Sequence, residues 1–341
     1  MGADPRFFER LGPLTAGDLA ANIGARCAGD AAALVSDVAE PAAAVAGALV
    51  FLTRAIAQPI SVPGVVVIAP EAAAGGTDAA AVLVHEAPRA AFARAAALLV
   101  IQRRHDGTDL IAASAQIDPA ARIAPGVIIG PDASIGAHAE IGPGVVIGPG
   151  VVIGAHTRIG ARAAVQCALI GQRCEISAGA VVGEAGFGLA YEAGSIVTLP
   201  HLGRVIIEDE VTIGANSTID RGMLRDTVLG KGCRIDNLCH IGHNVTVGHH
   251  AVMAAFAGVS GSVDIGPGAQ FGGRVGIADH LTIGAGARLA ADAAVMRDVP
   301  AGETWAGSPA QPLKSFMRET AWLRRQSGRK AKKAGSGEGA P

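Results

Sequence analysis

The sequence predicts a mainly β chain, a parallel β-helix carried between an N-terminal α/β domain and a C-terminal helical segment. Three observations predict it. An aliphatic residue recurs every six positions through most of residues 117 to 295. The first 112 residues lack that period and mix helix-like with strand-like patterns. After the turn AGSPAQP the chain becomes basic and helix-like.

Composition narrows the class. A chain of 341 residues has room for more than one domain. Half its residues are apolar and the mean hydropathy is +0.38. The longest plain apolar run, Ala42 to Leu52, has eleven residues and is too short to span a bilayer. With 47 glycines and only 3% aromatic residues, the core must be built from small branched side chains. The opening MGADPRFFER mixes acidic and basic residues and leads into no apolar segment, so it does not read as a signal peptide; the expected compartment is the cytoplasm. Five cysteines form no CxxC pair, and an odd number argues against a disulfide framework, so they read as small buried hydrophobes. A formal net charge of -2 excludes nucleic-acid binding by overall charge. The charge is uneven, however: from Lys314 onward there are eight Lys or Arg against two Glu.

In chain order, residues 1–112 read as the α/β domain. Thr15 is placed to cap a helix over TAGDLAANIG, Val65 to Ile68 reads as a strand, and a helix is expected from Pro88 to about Ile101. Residues 113–302 carry the repeat. One frame runs from Ile117 to Val165, a one-residue slip gives Ile170, Ile176 and Val182, and Ile207, Ile213 and Ile219 follow an interruption. The last frame, Ile235 to Val295, holds eleven hexads without a slip. Period six is neither helical nor simple alternation, and it is a β-helix signature. Three short strands make one coil, each hexad points one aliphatic residue inward, and the glycine that often follows is expected to relax the corner. Some 27 hexads give nine coils and, at the strand spacing, a prism roughly 43 Å long. Its open ends need caps, which the flanking domains supply. The loop 183–206 interrupts the repeat, holds the only tyrosine, and is expected to project from one face as a functional loop. Residues 303–341 read as a basic helix, Leu313 to about Arg325, and a disordered tail, KAKKAGSGEGAP.

Four of the ten histidines, His240, His243, His249 and His250, fall within eleven positions. His243 lies two places after the inward Ile241, at a corner, where its side chain faces outward. Two chemistries compete for it. Imidazole is the commonest metal ligand, and the gamma-type carbonic anhydrases, which share six-residue repeats, hold zinc between subunits through histidines. HxxH on a β-helix corner does not force the rings to converge, however, and no Glu joins the pattern closely. A general base is favoured instead, since imidazole takes a proton near neutral pH without much tuning. Gly261 lies eighteen residues after His243, one coil along, where a glycine lets a carbonyl approach the main chain and its N–H can face an oxyanion. His280, two coils and one residue on, is too far to orient His243 and reads as a substrate contact. His249 and His250 fall in the next corner and read as solvated.

The segments GEAGFGLAY, HLGRVIIEDEVTIGANSTIDRG, RIDNLCHIGHNVTVG and AGSPAQP, in this order, closely resemble the UDP-3-O-(3-hydroxyacyl)glucosamine N-acyltransferases of lipid A biosynthesis. The resemblance covers nearly the whole chain. It implies a left-handed β-helix, a hand that spacing alone does not supply, and a homotrimer with active sites in the clefts between subunits. It implies transfer of a 3-hydroxyacyl chain from an acyl carrier protein thioester to the 2-amino group of a UDP-3-O-acyl-glucosamine. No bound cofactor or metal is then expected, the carrier's phosphopantetheine thioester being a co-substrate. Position by position, it implies a general base at His243, an oxyanion N–H at Gly261, and nucleotide-sugar contacts at Asp236, Asn237, His240 and His280. Arg297 matches a basic residue of the carrier-protein contact. Phe51 matches an aromatic that stacks on uracil, whereas Arg54 and Ala57 stand where the family has an Asn and a Tyr. The competing readings are a zinc enzyme of the gamma carbonic anhydrase type, another acyltransferase built on the same repeat, and a non-catalytic scaffold.

Overall fold

The computed structural model describes residues 2–55, 60–75 and 77–334, the last seven of them as backbone. Helix α1 (Ala16–Ile23) begins where the sequence caps it: Thr15 Oγ1 accepts the Asp18 N–H at 3.0 Å, and Gly24, left-handed at φ 73°, closes it. Helices α2 (Glu71–Ala74) and α3 (Pro88–Leu99) complete this part of the chain. Both α1 and α3 pack on a five-stranded sheet ordered Arg26–Gly29, Ala81–Val84, Val66–Ala69, Ala48–Phe51, Asp37–Val38. Only its first pair is antiparallel. Helix α3 ends at Leu99, two residues short of the expected Ile101. Val100–Gln102 instead extends and pairs antiparallel with Phe8–Arg10, supplying hydrogen-bond partners that a further helical turn would deny to that strand.

From the bridge Ile111–Ile129 onward the chain winds as a parallel β-solenoid. Two faces have nine strands, as the hexads predict; the third has eleven because Thr304–Ala306 and Gln311–Pro312 extend it. Regular coils pair residue i with i+18, as Ile117 with Ile135 and Ile135 with Ile153, and the slip appears as Ile153 beside Ile170. The inward residues from Ile129 to Val295 are buried, each removing enough apolar surface to contribute about 2 kcal/mol. Ile117 and Ile123 are only partly buried, because the first coil has no coil before it.

The glycine after the inward residue does something other than relax the corner. At Gly242 φ is not left-handed, and an added Cβ would sit 2.8 Å from the Gly261 nitrogen of the next coil, so glycine permits the coils to stack. The left-handed residue comes two places later and is often not glycine: Asn244 at φ 60°, His280 at 58°.

Two guanidiniums, that of Arg221 buried and that of Arg204 partly so, fasten the flanking parts to the solenoid. Arg204 donates to both Asp226 oxygens, at 3.0 and 2.6 Å, and to Asp4 at 2.8 Å. Burial alone would raise the Asp4 carboxyl, yet hydrogen bonds from Arg6 and Arg204 outweigh it and hold its pKa down at about 2. Arg221, 6% exposed, donates to the carbonyls of His201 (2.7 Å) and Gly183 (2.8 Å) and to Gln102 Oε1 (3.1 Å). At the other end, helix α4 (Leu313–Ala334) continues past Arg325 into KAKKA, since Lys, Arg and Ala are good helix formers; the remaining tail residues, 335–341, lie outside the described residues. Among the described residues no helix is long and apolar enough to cross a membrane.

Candidate active site

His240–Ile241 forms one strand of a nine-stranded face, paired with Thr218–Ile219 on one side and Gly258–Val259 on the other. Ile241 is buried, the chain turns at Gly242, and His243 emerges half-buried from the corner. The same corner position in the next three coils holds Gly261, Asp279 and Arg297, stacked at roughly 4.8 Å per coil.

The neighbouring Asn244 decides the state of the ring. Its side-chain amide donates to the Arg225 carbonyl at 3.0 Å, and its Oδ1 accepts the Met223 N–H at 3.0 Å. With its nitrogen so engaged, the amide orientation is set, and His243 Nδ1, 3.0 Å from Oδ1, must be the protonated nitrogen. Nε2 is left as the lone-pair nitrogen. It lies over Gly261: a Cβ on Gly261 would be 2.6 Å from both His243 Nε2 and Cε1. No acceptor among the described residues takes the Gly261 N–H. His243 Nε2 and the Gly261 main chain are therefore neighbours, and only glycine fits beside the ring.

The loop 183–206 folds over this corner as an antiparallel hairpin, Leu189–Glu192 with Ser195–Thr198, joined to helix α3 by the Arg94–Glu192 ion pair. Its GFG turn packs on two imidazoles. A Cβ on Gly186 would be 2.8 Å from His243 Cβ and 3.0 Å from His201 Nε2; one on Gly188 would be 2.9 Å from His201 Cε1. His201 is 2% exposed and meets the His243 ring edge-on, centroids 5.0 Å apart. Burial, then the nearby His243 and Arg221 charges, push its pKa down to about 4. Asp220, on the coil before His243, has a carboxyl raised by burial and opposed by His240, His243 and Arg221. Its Oδ2 is 3.7 Å from His240 Nε2, while His240 Nδ1 meets Thr218 Oγ1 at 2.8 Å.

A cavity of about 460 Å³ opens here, lined among others by His240, His243, Gly261, His280, Asp220 and Arg89. The structure thus brings together four residues that the sequence singled out. A second cavity, about 340 Å³, shares Arg89 and Leu189 with it and reaches Thr53 and Glu86 in the N-terminal region and Tyr191 of the hairpin. The remaining candidates lie elsewhere in the chain. Phe51 packs on Phe92 with centroids 4.8 Å apart, and neither cavity's lining includes it. Arg54 is exposed, and Ala57 lies outside the described residues. Asp236 and Asn237 occupy the preceding corner, where their side chains tie coils together: Asp236 Oδ2 accepts the Ala255 N–H at 3.2 Å and Asn237 Oδ1 the Ala215 N–H at 2.6 Å. Arg297 lies over Trp305, 5.0 Å from the ring centroid, in a further cavity of about 580 Å³ against helix α4. His249 faces Glu208 on another corner, and His250 is exposed, so the four clustered histidines do not converge. Among the described residues no group of three or more His, Cys, Asp or Glu is placed to hold a metal.

Sequence reasoning passed over Asp220, Arg221, His201 and Asn244. The segments IDRG and HN contain three of them, but only the folded coils show that Asn244 binds the His243 ring and that Asp220 and Arg221 stand near it. His201 carries no local signal; it reaches the site because the hairpin returns there.

Comparison with known proteins agrees with this architecture. A family model described as the GMPPB C-terminal domain matches residues 105–224, and the bacterial transferase hexapeptide model matches residues 226–261. A UDP-3-O-acylglucosamine N-acyltransferase from Caulobacter sp. (strain K31) is 52% identical over 95% of this chain and 97% of its own. One from Maricaulis maris is 50% identical over 95% and 96%. Among solved structures, LpxA from Acinetobacter baumannii is 30% identical, covering 68% of this chain and 86% of its own, with a TM-score of 0.48. With half of its residues shared with such relatives over nearly its whole length, the chain is an acyltransferase and belongs to the UDP-3-O-acylglucosamine N-acyltransferase family.

Proposed function

We propose that this chain moves a 3-hydroxyacyl group from an acyl carrier protein thioester to the 2-amino group of UDP-3-O-(3-hydroxyacyl)-glucosamine, a step of lipid A biosynthesis, with His243 as general base. The observation that carries the reading is the pairing of an unprotonated His243 Nε2, its other nitrogen held by Asn244, with the open Gly261 N–H beside it. The amine nitrogen attacks the thioester carbonyl carbon, and Nε2 takes the proton that the nitrogen loses. The carbonyl electron pair moves onto oxygen, where the Gly261 N–H stabilises it, a contribution of about 3 kcal/mol for one such donor. Collapse breaks the carbon–sulfur bond, and the imidazolium returns its proton to the departing thiolate. The partly buried Asp220 carboxylate lies on the side where that positive charge develops. A thioester needs no metal for this sequence, and the chain works without a resident cofactor.

The two joined cavities suit a long, bent substrate. Arg89 stands between them, where a diphosphate would pass from the sugar near His240 and His280 to a uridine held by residues 1–112. Asp236, Asn237 and the exposed Phe187, 83% accessible, are read as meeting substrate across a cleft between subunits of a homotrimer. Residues 113–302 then carry the catalysis. Residues 303–341, with Arg297 at their base, present positive charge to an acidic carrier protein in the cytoplasm. Acyl transfer with a ladder of carrier-protein thioesters tests the reading: product should form with UDP-3-O-acylglucosamine and depend on His243. No product with any donor would overturn it.

A further inference from the structure

His201 is a buried titratable group that the proposed mechanism does not use. Its Nδ1 lies 3.2 Å from the Leu199 carbonyl oxygen, so Nδ1 carries the proton and Nε2 is a bare acceptor. Among the described residues no group pairs with that buried Nε2. An unpaired buried acceptor costs about 1–3 kcal/mol, which a phenyl or aliphatic filler of similar volume avoids. The place is specific as well. Nε2 and His243 Cδ2 both lie 3.0 Å from the point where a Gly186 Cβ would stand, so the lone pair abuts the ring of the base through a gap that glycine leaves. Arg221 donates to the His201 carbonyl and to the hairpin stem at Gly183, holding the histidine against this gap.

Resting on the reading of His243 as base, we propose that His201 is a positioning residue for that base. It is a neutral imidazole that braces the His243 ring beneath the GFG turn and turns an acceptor lone pair toward the imidazolium formed when His243 takes the amine proton. Like-charge repulsion is avoided because His201 stays neutral wherever the enzyme works: burial holds its pKa near 4. The other charged and titratable groups around the two rings are Asp220 on the preceding coil and His240 on the coil of His243 itself, with Arg221 and Glu184 behind them. Arg89, Asp279 and His280 stand across the cavity. None of these is altered in the test.

The test compares His201→Phe, which keeps a ring and removes the acceptor, with His201→Gln, which restores one, by steady-state acyl transfer against pH with melting temperatures in parallel. The Phe variant should lose about tenfold in kcat with KM for the UDP-sugar within about twofold, and its acid limb of kcat/KM should move to lower pH, since the imidazolium loses a favourable partner. The Gln variant should recover to within about threefold of the parent and restore the limb. A Phe variant with parental kcat and limb, or a Gln variant as impaired as the Phe one, overturns the proposal. If the Phe variant melts early, His201→Met takes its place under the same criteria. His243→Ala is assayed alongside: if it keeps activity, the base reading fails, whatever His201 does.

Discussion

The unslipped coils from Ile235 to Val295 and the interrupted stretch from Gly183 to Arg234 are built on the same hexad, yet they differ in what their corners do. In the regular coils every corner repeats the one before: Gly242 stacks on the next coil's backbone, and the left-handed place is filled by Asn244, Ser262 and His280 in turn. In the interrupted stretch Val181–Ala185 pairs with Thr218–Arg221, and Thr218–Ile219 with His240–Ile241, so both insertions leave the ladder after one nine-stranded face, and His243 emerges from that face one coil after the second. The regular coils supply a rigid ruler. The breaks supply the buried His201 and Arg221 and the partly buried Asp220, which give one histidine of the ruler a distinct environment.

Four substitutions sharpen that contrast. His243→Ala has the largest expected effect, a kcat loss of about 10²–10⁴-fold with the melting temperature unchanged, because the side chain ends at a corner and carries no core packing. Retention of activity within about tenfold would falsify the base assignment. Ile147→Ala, in a regular coil and fully buried, should do the reverse: about 2–5 kcal/mol lost in denaturant unfolding, with kcat little changed in the folded protein. Gly261→Ala is expected to cost about ten- to a hundredfold in kcat and little stability, since the new methyl displaces the imidazole 2.6 Å away while the main-chain N–H persists. Unchanged kinetics would show that base and N–H need not be neighbours.

The smallest effect lies far from the site and depends on pH. Asp4 has its folded pKa depressed to about 2 from an ordinary 3.8, so its contribution is fully present above pH 3.8 and is lost as pH falls through 2. Asp4→Asn should therefore lower the urea midpoint at pH 6, and most of that difference should be gone at pH 2. An equal difference at both values would show that the carboxylate charge is not what matters.

Much of this molecule is legible in one dimension, and the reason differs by region. Inward residues from Ile129 to Val295 follow from spacing because a coil of three hexads constrains each position through its immediate neighbours. Thr15 and Gly24 mark a helix through local capping chemistry. Where long-range pairing competes with local pattern, reading by eye goes astray. Helix α3 yields Val100–Gln102 to a strand partner ninety-odd residues earlier, and helix α4 runs on through a segment whose charge suggested disorder. Asp236 and Asn237 flank the histidines in sequence, yet within the chain they bind the backbone of the coils above and below.

The sequence by itself determined the solenoid, its nine coils and the placing of His243 one coil from Gly261, because a period of six repeated along a chain can bury its apolar residues in few other ways. Only the tertiary structure decided which nitrogen of His243 is free and what surrounds it. Those depend on Asn244 meeting the Met223 and Arg225 main chain, and on a hairpin returning His201 and Gly186 to the same corner. Such contacts join residues twenty to sixty positions apart with no period between them, so they exist only once the chain has closed on itself.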